Sequence, residues 1–489
     1  MWRIAIAALK DVPVTETISP LATSASPPQE KLDRSSLSWA CFEAGRNPYV
    51  ILCTIYILAP YIATTVFSDP VVGQATIASW HTLAGIIVAL TGPFLGAIAD
   101  RFGNRKPILG AVTFAMVLAI FSLWWALPAG QGGLSIVMIG ALTTALGILF
   151  AYSEVLHNAM LPTASTPATL PHASGLGLAF GNLASVVFLV FVLWGLAFPG
   201  RVDWSFVPSQ PLFGLNPETH ETSRIVAPMT AVWFAIAALP LFFFSRDKQP
   251  SGIKPSKAAI DGVVGMFKAV GRLFRVDRNA GLYLIARMLY VDGKTAILIV
   301  AGVTAAGVFG WDLLEMSAYG VILSIFAVFG GLFAGRLDAR IGAKWSIILE
   351  IGVTLICLII MTWQSKTHVF GLAVVPDTPI WNAPMFTTLP EVVFVCGAII
   401  IAISITAAYA SSRTLMARLA PKGMEGEFFG LYSLAGSATV WMGPMLVGVF
   451  TKAFQSQQIG LASTGFLLVG GLALMLFVKQ PPRLESGTY

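Results

Sequence analysis

Residues 96–106 read Gly96-Ala-Ile-Ala-Asp100-Arg101-Phe-Gly103-Asn-Arg105-Lys106, and residues 335–344 read Gly335-Arg-Leu-Asp-Ala339-Arg340-Ile-Gly342-Ala-Lys344. Glycine, arginine, glycine and a base recur at the same spacing, 239 residues apart. Each copy follows one long apolar run and precedes another. Gly103 and Gly342 suit a tight turn between two helices. The basic residues then fall near helix ends, where exposed carbonyls carry partial negative charge. An Asp100–Arg101 contact would latch one arrangement of the helices and release another. A repeated turn of this kind implies a chain built from two similar halves.

The composition says what those halves face. Of 489 residues, 56% are apolar and only 11% are charged. A soluble globular chain carries about 25% charged residues. So little charge cannot coat a water-facing surface of this size, and disorder is excluded except at the ends. A membrane helix needs about 20 mostly apolar residues. Twelve runs qualify: 38–67, 75–99, 108–128, 134–161, 174–198, 225–245, 281–309, 314–335, 345–363, 391–412, 429–451 and 458–478. With both termini in the cytoplasm, 24 of the 30 Lys and Arg residues lie in inner segments and four in outer loops. That bias fixes orientation and supports the count of twelve, because one missed span would reverse half the loops. The net charge of +6 is therefore a topology signal, and no nucleic-acid partner is expected.

The expected organisation is a disordered tail (1–37), a six-helix bundle (38–245), a cytoplasmic linker (246–280), a second six-helix bundle (281–478) and a short tail (479–489). In the linker, Ile260, Val263, Val264, Phe267, Val270, Leu273 and Phe274 recur at helical spacing, opposite Lys257, Lys268, Arg272 and Arg275. This reads either as an amphipathic helix on the inner leaflet or as a linker packed on the bundle. Cys41, Cys53, Cys357 and Cys396 form no metal or disulfide pattern, and no metal or cofactor is expected.

The first loop copy resembles the signature between the second and third helices of the major facilitator superfamily. In the second copy Ala339 replaces the Asp, with Asp338 adjacent. Further stretches are Trp39-Ala-Cys-Phe-Glu43, Ala59-Pro60-Tyr61, His157-Asn158-Ala-Met-Leu-Pro162, Gly175-Leu176-Gly177, Tyr290-Val-Asp292-Gly293, Ser411-Ser412-Arg413-Thr414, Glu427-Phe428-Phe429-Gly430-Leu431-Tyr432 and Gly443-Pro444. Together they resemble the bacterial "unknown major facilitator" family, whose fungal relatives are vacuolar amino-acid effluxers of the autophagy pathway. The resemblance runs from residue 38 to about 450. Glu43 and Arg46 depart from it, since Asp and a neutral polar residue are more usual there. It implies a multi-pass protein of a bacterial cytoplasmic membrane, expected to act as a monomer.

An ionisable side chain within hydrocarbon costs at least about 2.5–3.5 kcal/mol and generally faces a cavity. Glu43 and Arg46 share a face of the first span, as do Glu154 and His157 in the fourth. The seventh span holds Arg287, Asp292 and Lys294. Asp292-Gly293 is expected to interrupt it and open a turn toward a substrate; the competing reading pairs Asp292 with Lys294 or Arg287. Glu350 is expected to pair with Arg336 or Arg340. The latch and gate candidates are Gly96, Asp100, Arg101, Gly103, Arg105, Arg340, Gly342 and Arg413.

These features point to a secondary transporter working by alternating access on a small polar or zwitterionic solute, with amino-acid efflux one candidate. No P-loop or soluble ATPase domain appears, so a gradient of solute or of protons must drive it. Glu154 or Asp292 would face an ammonium, Arg46 or Arg287 a carboxylate, and Glu154 with His157 would be a proton site. An enzyme is not expected, because the five histidines form no convergent set. A receptor or scaffold without transport, or a carrier of peptides or cell-wall fragments, are the competing readings.

Overall fold

The computed structural model describes residues 32–480 except 102, 167–168, 250–259, 261–263, 266–267, 269–270, 276, 374–377, 421–430, 433–434 and 437; the side chains at 97, 99–101 and 171 also lie outside the description. Eleven described helices are long and apolar enough to cross a bilayer, and the described part of a further one is the shorter Met442–Phe454. In chain order they are α1 (Arg34–Val66), α2 (Pro70–Arg101), α3 (Arg105–Ser122), α4 (Ile136–Ala164), α5 (Leu170–Val192), α6 (Val226–Phe244), α7 (Arg278–Phe309), α8 (Leu313–Ile341), α9 (Ala343–Thr362), α10 (Leu389–Leu419), α11 (Met442–Phe454) and α12 (Gln457–Phe477). Among the described residues the fold is all-α apart from one hairpin of two-residue strands, His368–Val369 against Leu372–Ala373.

The first helix begins at Arg34, four residues before the expected boundary. The Asp33 carboxylate accepts from the Ser36 N–H at 2.8 Å and caps it. Residues 34–37, assigned to a disordered tail, are thus its first turn, and Glu43 and Arg46 lie well inside it. Beyond Tyr49 the helix loosens into π-type turns and breaks at Ile57 (φ −121°, ψ −65°), three residues before Pro60. Pro60 has no hydrogen to donate back to that turn.

The halves repeat. Within the first, α1 packs on α5 and α6, α2 on α4, and α3 on α4 and α6; within the second, α7 packs on α12, α8 on α10, and α9 on α10 and α12. The two bundles meet along α2–α11 and α5–α8. The turns of residues 96–106 and 335–344 lie at one end, called here the basic end. At the opposite end the bundles are tied together. Gln74 Nε2 donates to Thr451 Oγ1 (3.0 Å) and to the Gln457 carbonyl (3.0 Å), while its Oε1 accepts from Thr304 (2.9 Å) and Gln457 (3.1 Å). Arg201 pairs with Asp312, and Tyr56 meets Tyr319 edge-on. Nearer the basic end, Glu154 and Asn158 on α4 and Arg413 on α10 are exposed, so the cleft opens that way.

Candidate substrate and coupling site

Three titratable side chains of the first half come together. Arg46 Nη2 lies 2.6 Å from Glu43 Oε1, and His157 Nδ1 approaches the same oxygen at 3.2 Å. The imidazole is wholly buried. It is stacked on Trp39 at 4.2 Å and on Phe42 at 4.7 Å. Its Nε2 lies 2.9 Å from the Trp39 carbonyl. A carbonyl only accepts, so Nε2 carries the hydrogen. The ring's Nδ1 approaches Glu43 without forming a hydrogen bond among the described residues. Gly177 and Gly181 let α5 close on this cluster, since a Cβ at either would touch Glu43 at 3.4 and 3.2 Å.

Glu154 does not join His157. The i,i+3 offset turns it away, and it is exposed in the cleft, within electrostatic reach of Tyr409 on α10. The two residues stand equally far from the ends of their helices, at Ala164 and Leu419. Glu43 and Arg287 likewise stand equally far from the starts of α1 and α7, at Arg34 and Arg278. The repeat therefore places an anion and a cation at corresponding points on the two walls.

Helix α7 is unbroken from Arg278 to Phe309, which corrects the expected opening at Asp292-Gly293. Gly293 instead lets α12 approach, because a Cβ there would meet the Thr464 carbonyl at 3.2 Å. The interruption lies in the eleventh span, where residues 439–441 form a turn before α11. A helix start leaves N–H groups without intrahelical partners, and Asp292 Oδ2 accepts from the Gly443 N–H at 2.9 Å. Asp292 Oδ1 is buried without a hydrogen-bond partner among the described residues. No described ion pair joins Asp292 to Lys294 or Arg287. Arg287 donates to the Tyr432 carbonyl at 2.7 Å and lies 3.5 Å from that ring's centroid. Lys294 is fully buried and has no hydrogen-bond acceptor among the described residues; its ammonium faces the rings of Tyr409 (4.5 Å) and Tyr290 (5.5 Å).

Two acidic residues that sequence reasoning set aside lie nearby. Ser411 Oγ is 2.8 Å from Asp338 Oδ1 and 3.2 Å from Glu350 Oε1. Glu350 is buried and within electrostatic reach of Lys294. It makes no described ion pair with Arg336 or Arg340, both of which are exposed. Both contacts are long-range in sequence, so only the repeat's placement of Asp338 could have hinted at them.

At the basic end the two turns match in detail. Gly103 (φ +74°) and Gly342 (φ +88°) both take positive φ, and a Cβ at Gly103 would come 2.5 Å from the Gln249 carbonyl. Lys106 Nζ donates to the Phe242 carbonyl and Lys344 Nζ to that of Leu476, each at 3.0 Å. Each thus caps the last turn of the sixth helix of its half. Arg105 is buried, 3.4 Å from Thr163 Oγ1. Gly96 lies 3.9 Å from Val155, measured from an added Cβ. The Asp100 and Arg101 side chains lie outside the described residues, and with them the expected latch.

Two six-helix halves that repeat one packing scheme around a charged cleft define a major facilitator transporter. Residues 171–483 match the family described as vacuole effluxer Atg22 like, and the chain belongs to that family. It is 22% identical over 467 residues to the uncharacterized MFS-type transporter YxiO of Bacillus subtilis (strain 168), covering 92% of this chain and 96% of that one. It is 22% identical over 339 residues to autophagy-related protein 22 of Yarrowia lipolytica, covering 65% of this chain and 51% of the yeast protein. Among solved structures it resembles the nucleoside transporter NupG, with a TM-score of 0.59 and 13% identity over 91% of this chain and 99% of that one. That likeness concerns the fold.

Proposed function

We propose that this membrane transporter carries a small zwitterionic solute of the amino-acid type by alternating access, with its basic end in the cytoplasm and a proton gradient as driving force. In this reading the structure is the inward-open state. The observation that carries it is that an exposed anion of the first half, Glu154, and a cation of the second, Arg287, both lie within electrostatic reach of Tyr409. Glu154, open to the cleft on α4, suits an ammonium group. Arg287, on the facing wall beside Tyr432, suits a carboxylate. A solute carrying both charges would bridge the halves and favour their closure toward the basic end. The family's description as vacuole effluxer agrees with a transport role.

The test is thermal stabilisation of the purified protein by neutral amino acids, their deaminated and decarboxylated analogues, nucleosides and sugars. Neutral amino acids should raise the melting temperature, analogues lacking either charge should not, and Glu154→Gln should abolish the shift. Stabilisation by a nucleoside or sugar, with no effect of amino acids, would overturn the reading.

A further inference from the structure

The second half contains a cluster that solute binding does not use. Asp338 on α8, Glu350 on α9 and Ser411 on α10 are all buried. The two carboxylates approach the same hydroxyl oxygen, at 2.8 and 3.2 Å. A serine hydroxyl has one hydrogen to donate. If both carboxyls were ionised, one approach would bring two unshared lone pairs together in a low-dielectric setting, which is costly. One further proton completes the chain: one carboxyl donates to Ser411, and Ser411 donates to the other.

The charge balance agrees. Facing the pair are Lys294 from α7 and, behind it, Arg287, whose electrostatic reach extends to Lys294. Helix α12 also packs on α9 but carries no titratable side chain between Gln457 and Phe477. On α10, the Tyr409 ring lies 4.5 Å from the Lys294 ammonium. Lys294 is the cation within electrostatic reach of Glu350. Arg287 is engaged by the Tyr432 carbonyl and ring, and Arg336, Arg340 and Arg413 on the cluster's own helices are exposed. A proton on one carboxyl therefore neutralises the charge that Lys294 leaves uncompensated. Glu350 Oε2 has no hydrogen-bond partner among the described residues, and neither does the Lys294 ammonium. The two are therefore available to each other when the helices shift.

We propose that Glu350 and Asp338, joined through Ser411 and countered by Lys294, form a proton-binding site that is loaded and emptied as the carrier alternates. Loading adds one proton to the carboxyl pair; emptying returns it to solvent and leaves a second carboxylate, which draws the Lys294 ammonium toward it. Tyr409 touches Lys294 and lies within electrostatic reach of Glu154, and so would relay that movement to the solute. The transport role rests on the proposed function, but proton binding can be measured without any solute.

Infrared spectroscopy of the membrane-reconstituted full chain, titrated from acidic to alkaline pH, reads the C=O stretch of protonated carboxyls. A band that titrates in the wild type should be lost in Glu350→Gln or Asp338→Asn and displaced in pH in Ser411→Ala. Accumulation of a radiolabelled neutral amino acid driven by an imposed pH gradient should be lost in Glu350→Gln. Size-exclusion and melting profiles establish that the variants are folded, and Gln or Asn keeps a partner for Ser411. If folded Glu350→Gln and Asp338→Asn both keep the full titrating band, or if the wild-type band ignores pH, the proton site is refuted. If the bands behave as expected but no amino acid moves in the wild type, the solute reading fails and the proton site stands.

Discussion

Gln74 is the residue whose removal most directly tests alternating access. It belongs to the first half, and its three partners, Thr304, Thr451 and Gln457, belong to the second. Its amide is only 1% exposed and uses both oxygen and nitrogen in four hydrogen bonds. Opening this end must break all four. At about 1 kcal/mol net per bond, the knot favours closure by up to about 4 kcal/mol. Gln74→Leu keeps the bulk and removes every bond. Allowing for partial rearrangement of the two threonines, we expect a shift of about 3 kcal/mol toward opening, a factor of about one hundred in the population ratio. Spin labels at Gln131 and Lys452, in a background with the four cysteines replaced, would report the separation of the halves at this end. The substitution should convert a short distance into a mixture with a longer one. Gly460→Ala should do the same, because its Cβ would lie 1.8 Å from Thr451 Oγ1 and 2.9 Å from Gln74 Nε2. Distance distributions unchanged in both folded variants would show that the knot does not hold this end closed.

Removing one member of the buried Glu43–Arg46 pair should be more harmful than removing both. Glu43→Ala leaves a buried guanidinium and should cost about 3–5 kcal/mol in denaturant unfolding, much of which Glu43→Gln combined with Arg46→Met should recover. Gly443→Ala would bring a methyl to 2.6 Å from Ala296 Cβ and 3.0 Å from the Asp292 carbonyl; a loss of about 1–3 kcal/mol is expected by the same measurement, with reduced transport. Burial raises the Asp312 carboxyl, but Glu315, the Leu314 N–H and Arg201 outweigh it and hold it below the ordinary value. Its contribution is therefore complete above the ordinary aspartate range and lost as pH falls through the lowered value. Closure at this end should weaken in strong acid. Asp312→Ala and Arg201→Ala should each mimic that at neutral pH by about 0.2–1 kcal/mol, since both remove the exposed pair that joins the halves.

The twelve-span layout was legible because lipid leaves the chain few options: long apolar runs, basic turns and a repeated glycine. The pairing of Glu43 with Arg46 was legible too, since helical spacing brings them to one face. Spacing failed for Glu154 and His157, because three residues along a helix also rotate a side chain by some 60° about the axis. That was enough to send one into the cleft and the other between Trp39 and Phe42. It failed at Asp292-Gly293 for a different reason. Glycine within a membrane helix serves close packing as readily as bending, and α12 supplies the packing. The break lies in the eleventh span, and Asp292 meets it as the acceptor for the exposed N–H of Gly443. The neighbours of Glu350 were not legible, because Ser411 and Lys294 are distant in sequence.

The two halves share a packing scheme but differ in how their charge is compensated. In the first half, the Glu43 carboxylate and the Arg46 guanidinium lie in direct contact and neutralise each other, although Arg46 Nε and His157 Nδ1 have no described hydrogen-bond partner. In the second, the Lys294 ammonium meets only aromatic faces, and one oxygen each of Asp292 and Glu350 lacks a described partner. A buried polar group left unpaired costs about 1–3 kcal/mol. Such costs persist in a stable protein when another conformation or a bound ligand satisfies the same groups. The second half is therefore the wall expected to rearrange, and a solute or a proton arriving there does the most to change the balance between conformations. Substitutions that neutralise Lys294 should accordingly alter the pH dependence of the spin-label distances, while neutralising the Glu43–Arg46 pair together should leave that dependence in place. The opposite pattern would assign the responsive wall to the first half.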